Sequence, residues 1–233
     1  MGRRSVRRST GYRKSRDAIR IICEGDVTEV CYIKGLLVDS HVSRDLIRIL
    51  PSRHTDPVGL VKEAIEHKKK NKRKSKSGEE ISIDRWWVVV DVERENNKKA
   101  IAEAIRLAVA NGILIAFSDP CIEYWLILHF TYTTRTFEAS QDAKDYLDSE
   151  YLPGYSDSGH RPDMQEMRSR LDEAMKNAQL LRTRHNSQGF ESPMTDFDLL
   201  VRDINHIVEE EYRFFEDETY DLKKLSMYSL FSR

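Results

Sequence analysis

Cysteine is scarce in this sequence and none of it is spaced for zinc. The three residues, Cys23, Cys31 and Cys121, are odd in number and include no CxxC pair, which excludes a disulfide-stapled scaffold and a zinc ribbon or finger. They fall in apolar or helical stretches, so reduced, mostly buried thiols in an intracellular protein are expected. Long hydrophobic runs are also missing. The longest, IEYWLILHF, is too short and too interrupted to span a bilayer, and residues 1–16 lack the apolar centre of a secretory signal. The expected location is the cytoplasm, with no membrane partner. No internal repeat, Walker A pattern or RNA-reading motif occurs, so any ATP dependence must come from another chain.

What the sequence does have is charge, at 33% of residues, with a formal net of only -1. That balance hides a polarised distribution. Residues 3–16 hold seven Arg/Lys and no acid, and HKKKNKRKSK at 67–76 holds seven more, leaving 24 basic residues for the remainder beside all 39 acids. Two basic segments on an otherwise acidic chain are suited to nonspecific, salt-sensitive contact with RNA or DNA, although solvated tails and loops account for them equally well. At 233 residues the chain is long enough for one α/β domain with an appendage.

The pattern along the chain is strand, turn, helix, repeated. AIRIIC at 18–23 reads as a buried strand, and Asp26 with Glu29 makes a capping-box-like start to a helix carrying Val30, Ile33, Leu36 and Leu37. LIRILP at 46–51 reads as a second strand. Asp56-Pro57 then opens a helix through VGLVKEAIEHKKK, which the charged loop 68–80 is expected to end. RWWVVV at 85–90 reads as a strand covered on both faces. Ile101, Ala104, Ile105, Ala108 and Val109 form a helical stripe closed by Asn111-Gly112, and ILIAF gives a fourth strand. Asp119-Pro120 is expected as the N-cap and first residue of a helix over CIEYWLILHF. The expected architecture is α/β with a mainly parallel sheet flanked by helices. The divisions are a basic tail at 1–16, an α/β core at 17–131 and a mostly helical C-terminal elaboration at 132–233.

Two strands end on carboxylates, Glu24 and Asp91. In an open α/β sheet the ligand crevice lies beyond the carboxyl ends of the strands, so both are expected on one rim. Glu93, two residues beyond Asp91, points to the same face if the chain stays extended. Converging carboxylates repel unless a cation intervenes, and hard oxygen donors suit Mg²⁺ or Mn²⁺. Such a metal would neutralise charge on a phosphodiester and help generate the attacking hydroxide, while Glu24 could orient or deprotonate the nucleophile. Each acid alone reads as an ordinary loop or cap residue; it is their arrangement at two strand ends that points to a site. Glu123 lies in the first turn of a helix apolar nearly all round, where an ionised carboxylate is costly without a partner. His129, six residues on, reads as a hydrogen-bonded core residue. Arg94, Lys98 and Lys99 follow the acidic pair and offer phosphate contacts, as Lys68, Lys69 and Lys70 do from the second basic segment. Arg184, His185 and Asn186 are polar, but nothing places them at the rim.

Taken in order, EGDVTEVCYIKGL, TDPVGLVKEAIEH, VVVDVERE, FSDPCIEYWLILHF and SPMTDFDLLV resemble the successive blocks of the RloB family, Toprim-like proteins found with bacterial restriction and phage-defence loci. The resemblance runs from about residue 17 to 205. It implies a Toprim fold in which a glutamate after the first strand and a D-x-D pair after a later strand bind divalent metal for phosphodiester chemistry. Glu24 matches the glutamate and Asp91 the first acid of the pair. Glu93 matches the second but is one methylene longer, a departure from the pattern. Glu123 matches an acidic position of the aromatic helix block, as an accessory ligand or a residue supporting the ligands.

The resemblance implies a metal-dependent nuclease, a defence effector cutting RNA, including transfer RNA, or DNA. Two other readings compete with it: a noncatalytic module that binds a partner such as an ATPase encoded nearby, and a basic nucleic-acid binder with no chemistry. A homo-oligomer stays open. Toprim domains also serve topoisomerases and primases, but the chain lacks the further domains those tasks need.

Overall fold

A computed structural model describes residues 17–38, 40, 42–92, 98–188 and 192–212. At its centre β1 (Ile19–Cys23) and β3 (Arg85–Asp91) pair in parallel, with β2 (Ile47–Leu50) outside β1 and β4 (Leu114–Asp119) outside β3. The order is β2-β1-β3-β4-β5, closed by a short antiparallel strand, β5 (Met194–Thr195). This is the mainly parallel α/β sheet the alternation predicts, consistent with a Toprim-like fold. The C-terminal region is helical as expected, but it also supplies β5. Two residues carry too little periodicity to read as a strand. They are held by Ser118 Oγ against Thr195 Oγ1 at 2.9 Å and by Asp196 N–H donating to Phe117 O.

RWWVVV is buried on both faces, and its two indoles show what covers each. Trp86 stacks on His67 of α2 (Pro57–Lys76), while Trp87 Nε1–H donates to Asp203 of α8 (Phe197–Tyr212). Successive strand residues face opposite sides, so α2 and α8 lie on opposite faces of the sheet. With α2 goes α3 (Lys98–Asn111). With α8 go α1 (Thr28–Leu37) and α4 (Ile122–Ile127), joined where the Tyr32 ring meets Trp125 and Phe197 edge-on at 6.2 and 5.5 Å. Each such aromatic pair is worth about 0.5–1.5 kcal/mol beyond the area it buries. The remaining helices are α5 (Ser140–Glu150), α6 (Met164–Ser169) and α7 (Leu171–Gln188), the last two forming one predicted helix broken at Arg170. Among the described residues no helix is long and apolar enough to cross a membrane.

Several local expectations are corrected. The charged segment 68–76 is not a loop: α2 continues through Lys76, about 30 Å in all at 1.5 Å per residue. Lys and Arg are good helix formers, no breaker occurs before Gly78, and cations suit a helix C-terminus. At its start the prediction holds, with Asp56 accepting from Gly59 N–H and Pro57 in the first turn. Helix α1 begins at Thr28 behind Val27, which makes no side-chain cap, and Glu29 reaches back to Gly25 N–H rather than completing a box with Asp26. Val109 is 41% exposed, one step beyond the buried face of α3. Asp119 does not cap α4; it ends β4 opposite Met194, and the helix starts two residues after Pro120 behind an extended Cys121.

Candidate functional site at the carboxyl rim

Parallel pairing of β1 with β3 puts their carboxyl ends side by side. Cys23 is in register with Val89, and Glu24 N–H donates to Val89 O at 3.2 Å, one further rung of the ladder. From there the Glu24 side chain turns inward, and its Oε2 accepts the backbone N–H of Asp91 at 3.2 Å. Asp91 is the last residue of β3, in register with Ser118 of β4. The two strand-end acids therefore share a rim, both half-buried.

Behind them lies a buried second tier. Glu123, 1% exposed in the first turn of α4, accepts from Tyr155 Oη–H at 2.9 Å through Oε1, while its Oε2 is buried without an N–H or O–H donor among the described residues. The Tyr155 hydroxyl also lies 3.3 Å from Thr28 Oγ1, and Thr28 donates to His160 O. The 153–160 turn is thereby tied to the starts of α1 and α4. Glu29, 5% exposed, accepts Gly25 N–H at 3.1 Å. A Cβ on Gly25 would stand 2.4 Å from Glu29 Oε2, so only glycine lets this carboxylate fold over the turn. That is the physical use of the glycine following Glu24.

Proton affinities report the same crowding. Burial raises the Glu29 carboxyl above its ordinary range, its own backbone N–H opposes this, and the charge of Glu123 adds to the rise. Burial pushes the Cys23 thiol well up, reinforced by Glu29, Asp91 and Asp26; it does the same to Cys121, reinforced by Glu123 and Asp91. Asp91 is thus felt at the end of β1 and at the start of α4. Both thiols are held protonated, which removes them as nucleophiles at neutral pH. Burial and then Glu123 hold the Tyr155 phenol protonated as well, able to donate to that carboxylate.

Of the other sequence-predicted residues, Glu93 and Arg94 lie outside the described residues, and so does the side chain of Lys98, which opens α3. Lys99 is exposed in the first turn of that helix. Lys68 sits at the amino end of the sheet, opposite the carboxyl rim, while Lys69 and Lys70 are exposed on the same helix. Lys68 Nζ donates at 2.8 Å to Asn111 O and Gly112 O, just ahead of β4, and Asn71 bonds Ile81 O and Ile83 N–H just ahead of β3. Lys68 caps α3 instead of facing the acids. His129 is the core residue expected, fully buried between Tyr32 Oη and Trp125 O at 3.0 Å each. His185 is buried against Pro193 O.

Sequence reasoning overlooked Glu29 and Tyr155. Glu29 was readable: it precedes Tyr32 and Ile33 by three and four residues, so it shares the buried stripe of α1, where an acid has no ordinary structural use. Tyr155, in a loop 127 residues from Thr28 and 32 from Glu123, carries no such signal.

Among the described residues no three His, Cys, Asp or Glu side chains group closely enough to hold a metal by themselves. The donor chemistry still fits Mg²⁺ or Mn²⁺, which bind through one or two carboxylates and otherwise keep water or substrate phosphate. Glu24 and Asp91 are two such donors on adjacent strands.

No curated protein and no solved structure shows significant similarity to this sequence. A family model described as RloB-like protein matches residues 19–204. That span covers both strand-end acids, Glu29, Glu123, Tyr155 and β5, and the chain belongs to the RloB-like protein family.

Proposed function

We propose that this protein is a divalent-metal-dependent nuclease of the Toprim type, acting as a phage-defence effector on RNA or DNA. The observation that supports this reading is the Asp91 N–H to Glu24 Oε2 hydrogen bond, which ties the Glu24 carboxylate to the backbone of the second strand-end acid at the rim where α/β sheets take ligands. Glu24 and Asp91 would hold Mg²⁺ or Mn²⁺, with Glu93 as the third acid; the bound ion would supply charge neutralisation at the phosphodiester and an acidified water.

The chain's own groups do the rest. Glu24, anchored on the Asp91 amide, keeps one oxygen in a fixed direction. Tyr155 donates to Glu123 and holds that carboxylate in one orientation at the start of α4. Glu29, with its raised proton affinity, gives the site a carboxyl that takes up a proton more readily than an exposed glutamate. Lys99, with Arg94 and Lys98, would meet substrate phosphates at the start of α3.

Purified protein incubated with separate RNA and DNA pools, with Mg²⁺, Mn²⁺ or chelator, tests this. Cleavage should require metal and fall on the order of 10³-fold in Glu24→Gln and in Asp91→Asn. Full activity in both variants sinks the assignment. Metal binding without cleavage of either pool would mark a noncatalytic module that acts through a partner.

A further inference from the structure

A second concave site lies on the α2 face of the sheet, near its β2 edge. It is a cleft of about 410 Å³, within the roughly 300–1,000 Å³ range of small-molecule sites. Its floor is one row of side chains across three strands, because Arg48 of β2, Arg20 of β1 and Trp86 of β3 are in register and share a face. Its wall is α2, which contributes Lys70 and Lys74 one turn apart, with His67 stacked on the Trp86 ring at 6.5 Å.

The row is electrostatically unfavourable as it stands. Adjacent strands are about 4.8 Å apart, and like charges directly opposite one another destabilise a sheet. Arg20 is half-buried and its Nη1 bonds only the carbonyls of Ile19 and Leu46, leaving Nε and Nη2 uncommitted and no carboxylate in an ion pair with it among the described residues. Burial works against its charge and Arg48 adds to the effect, while Asp45 and Glu80 offset part of it. Arg48 reaches only the edge of Asp45 at 3.9 Å, and Lys74 is taken by Glu80. Lys70 makes no hydrogen bond or ion pair among the described residues. Trp86 is 3% exposed, and its Nε1–H has no acceptor among the described residues.

Two opposed and only partly satisfied guanidinium groups, an ammonium with no hydrogen bond and an indole N–H with no acceptor, all among the described residues, leave donors for a ligand. Arginine meets phosphate through paired N–H groups, and an oxyanion between Arg20 and Arg48 would turn their repulsion into two attractions. We propose that this cleft binds the phosphoryl group of a small phosphorylated molecule, using Arg20, Arg48 and Lys70. Asp45, Glu79 and Glu80 also line the cleft, so a polynucleotide running along it would meet three carboxylates, whereas a compact anion needs only the space between the two guanidinium groups. The site stands apart from the carboxyl rim and does not depend on the nuclease reading.

The test is calorimetric titration of the full chain, in chelator so that no metal bridges phosphate to the rim, with inorganic pyrophosphate, with ADP, and with short single-stranded RNA and DNA. Saturable one-to-one binding of pyrophosphate or ADP is expected, weakened about tenfold or more by Arg20→Gln and by Arg48→Gln and unaltered by Glu24→Gln. Arg48 is exposed, so its variant keeps the fold if Arg20→Gln does not. Absence of binding by both small phosphates, equal affinity in Arg48→Gln, or binding of the polynucleotides alone would overturn the proposal.

Discussion

Near β5 and α8, Asp196 and Asp198 both face Arg182, and Asp203 meets Arg85 at 3.0 Å and the Trp87 indole at 2.7 Å. At the carboxyl rim, Glu29 and Glu123 are as deeply buried, yet what reaches them is a backbone amide and a tyrosine hydroxyl, with no ion pair among the described residues. The first arrangement is how a fold keeps buried acids it needs for architecture: each charge is answered by a guanidinium within the chain. The second has no guanidinium or ammonium in an ion pair with its buried acids among the described residues. A fold gains no stability from that, whereas a cation site uses it.

The contrast breaks most visibly at Arg182. Arg182→Leu would leave two fully buried aspartates without their cation, at a cost of about 3–5 kcal/mol, read as a shift of the urea midpoint, while cleavage per folded molecule stays unchanged. A loss of activity without a loss of stability would place Arg182 in the site and dissolve the distinction.

Acid provides the next largest effect. Burial lowers the pKa of His129 to about 4, below its ordinary value near 6.5, so the unfolded chain binds this proton first as the pH falls. The stability contribution is complete above pH 6.5 and is lost toward pH 4, up to about 3 kcal/mol. Urea midpoints across that range should fall more steeply for the native chain than for His129→Gln; equal slopes would mean that the Tyr32 and Trp125 contacts do not hold the ring neutral.

The smallest effect has the opposite sign. Because the folded-state pKa of Glu29 is raised, its ionisation at neutral pH opposes folding. Glu29→Gln, which keeps an acceptor for Gly25 N–H, should raise the melting temperature at pH 7 and above, and the gain should fade as the pH falls toward the ordinary glutamate range. A lowered melting temperature would put Glu29 with the compensated aspartates. Together with Arg182→Leu, this variant asks whether the two regions hold their acids for different reasons.

Much of the fold and part of the site were legible in the sequence. Strand length, β-branched content and the Asp56-Pro57 start marked β1 to β4 and α2, and two strands visibly stopped at Glu24 and Asp91. The end of α2 was misread because charge resembles a loop in composition while Lys and Arg propagate a helix. Strand β5 was missed because two residues have no period. Lys68 was assigned to phosphate because a sequence does not say which end of the sheet a helix terminus reaches.

Taken alone, the sequence determined the alternation of strand and helix and the acids that terminate two strands, since both follow from periodicity and from short-range backbone preference. Only the tertiary structure decided that Glu29, Glu123 and Tyr155 gather behind those acids, that Arg20 and Arg48 stand opposed in a second cleft, and that arginines compensate one set of aspartates. Those juxtapositions arise from strand register and from packing between residues far apart in the chain, and neither is encoded in any local window.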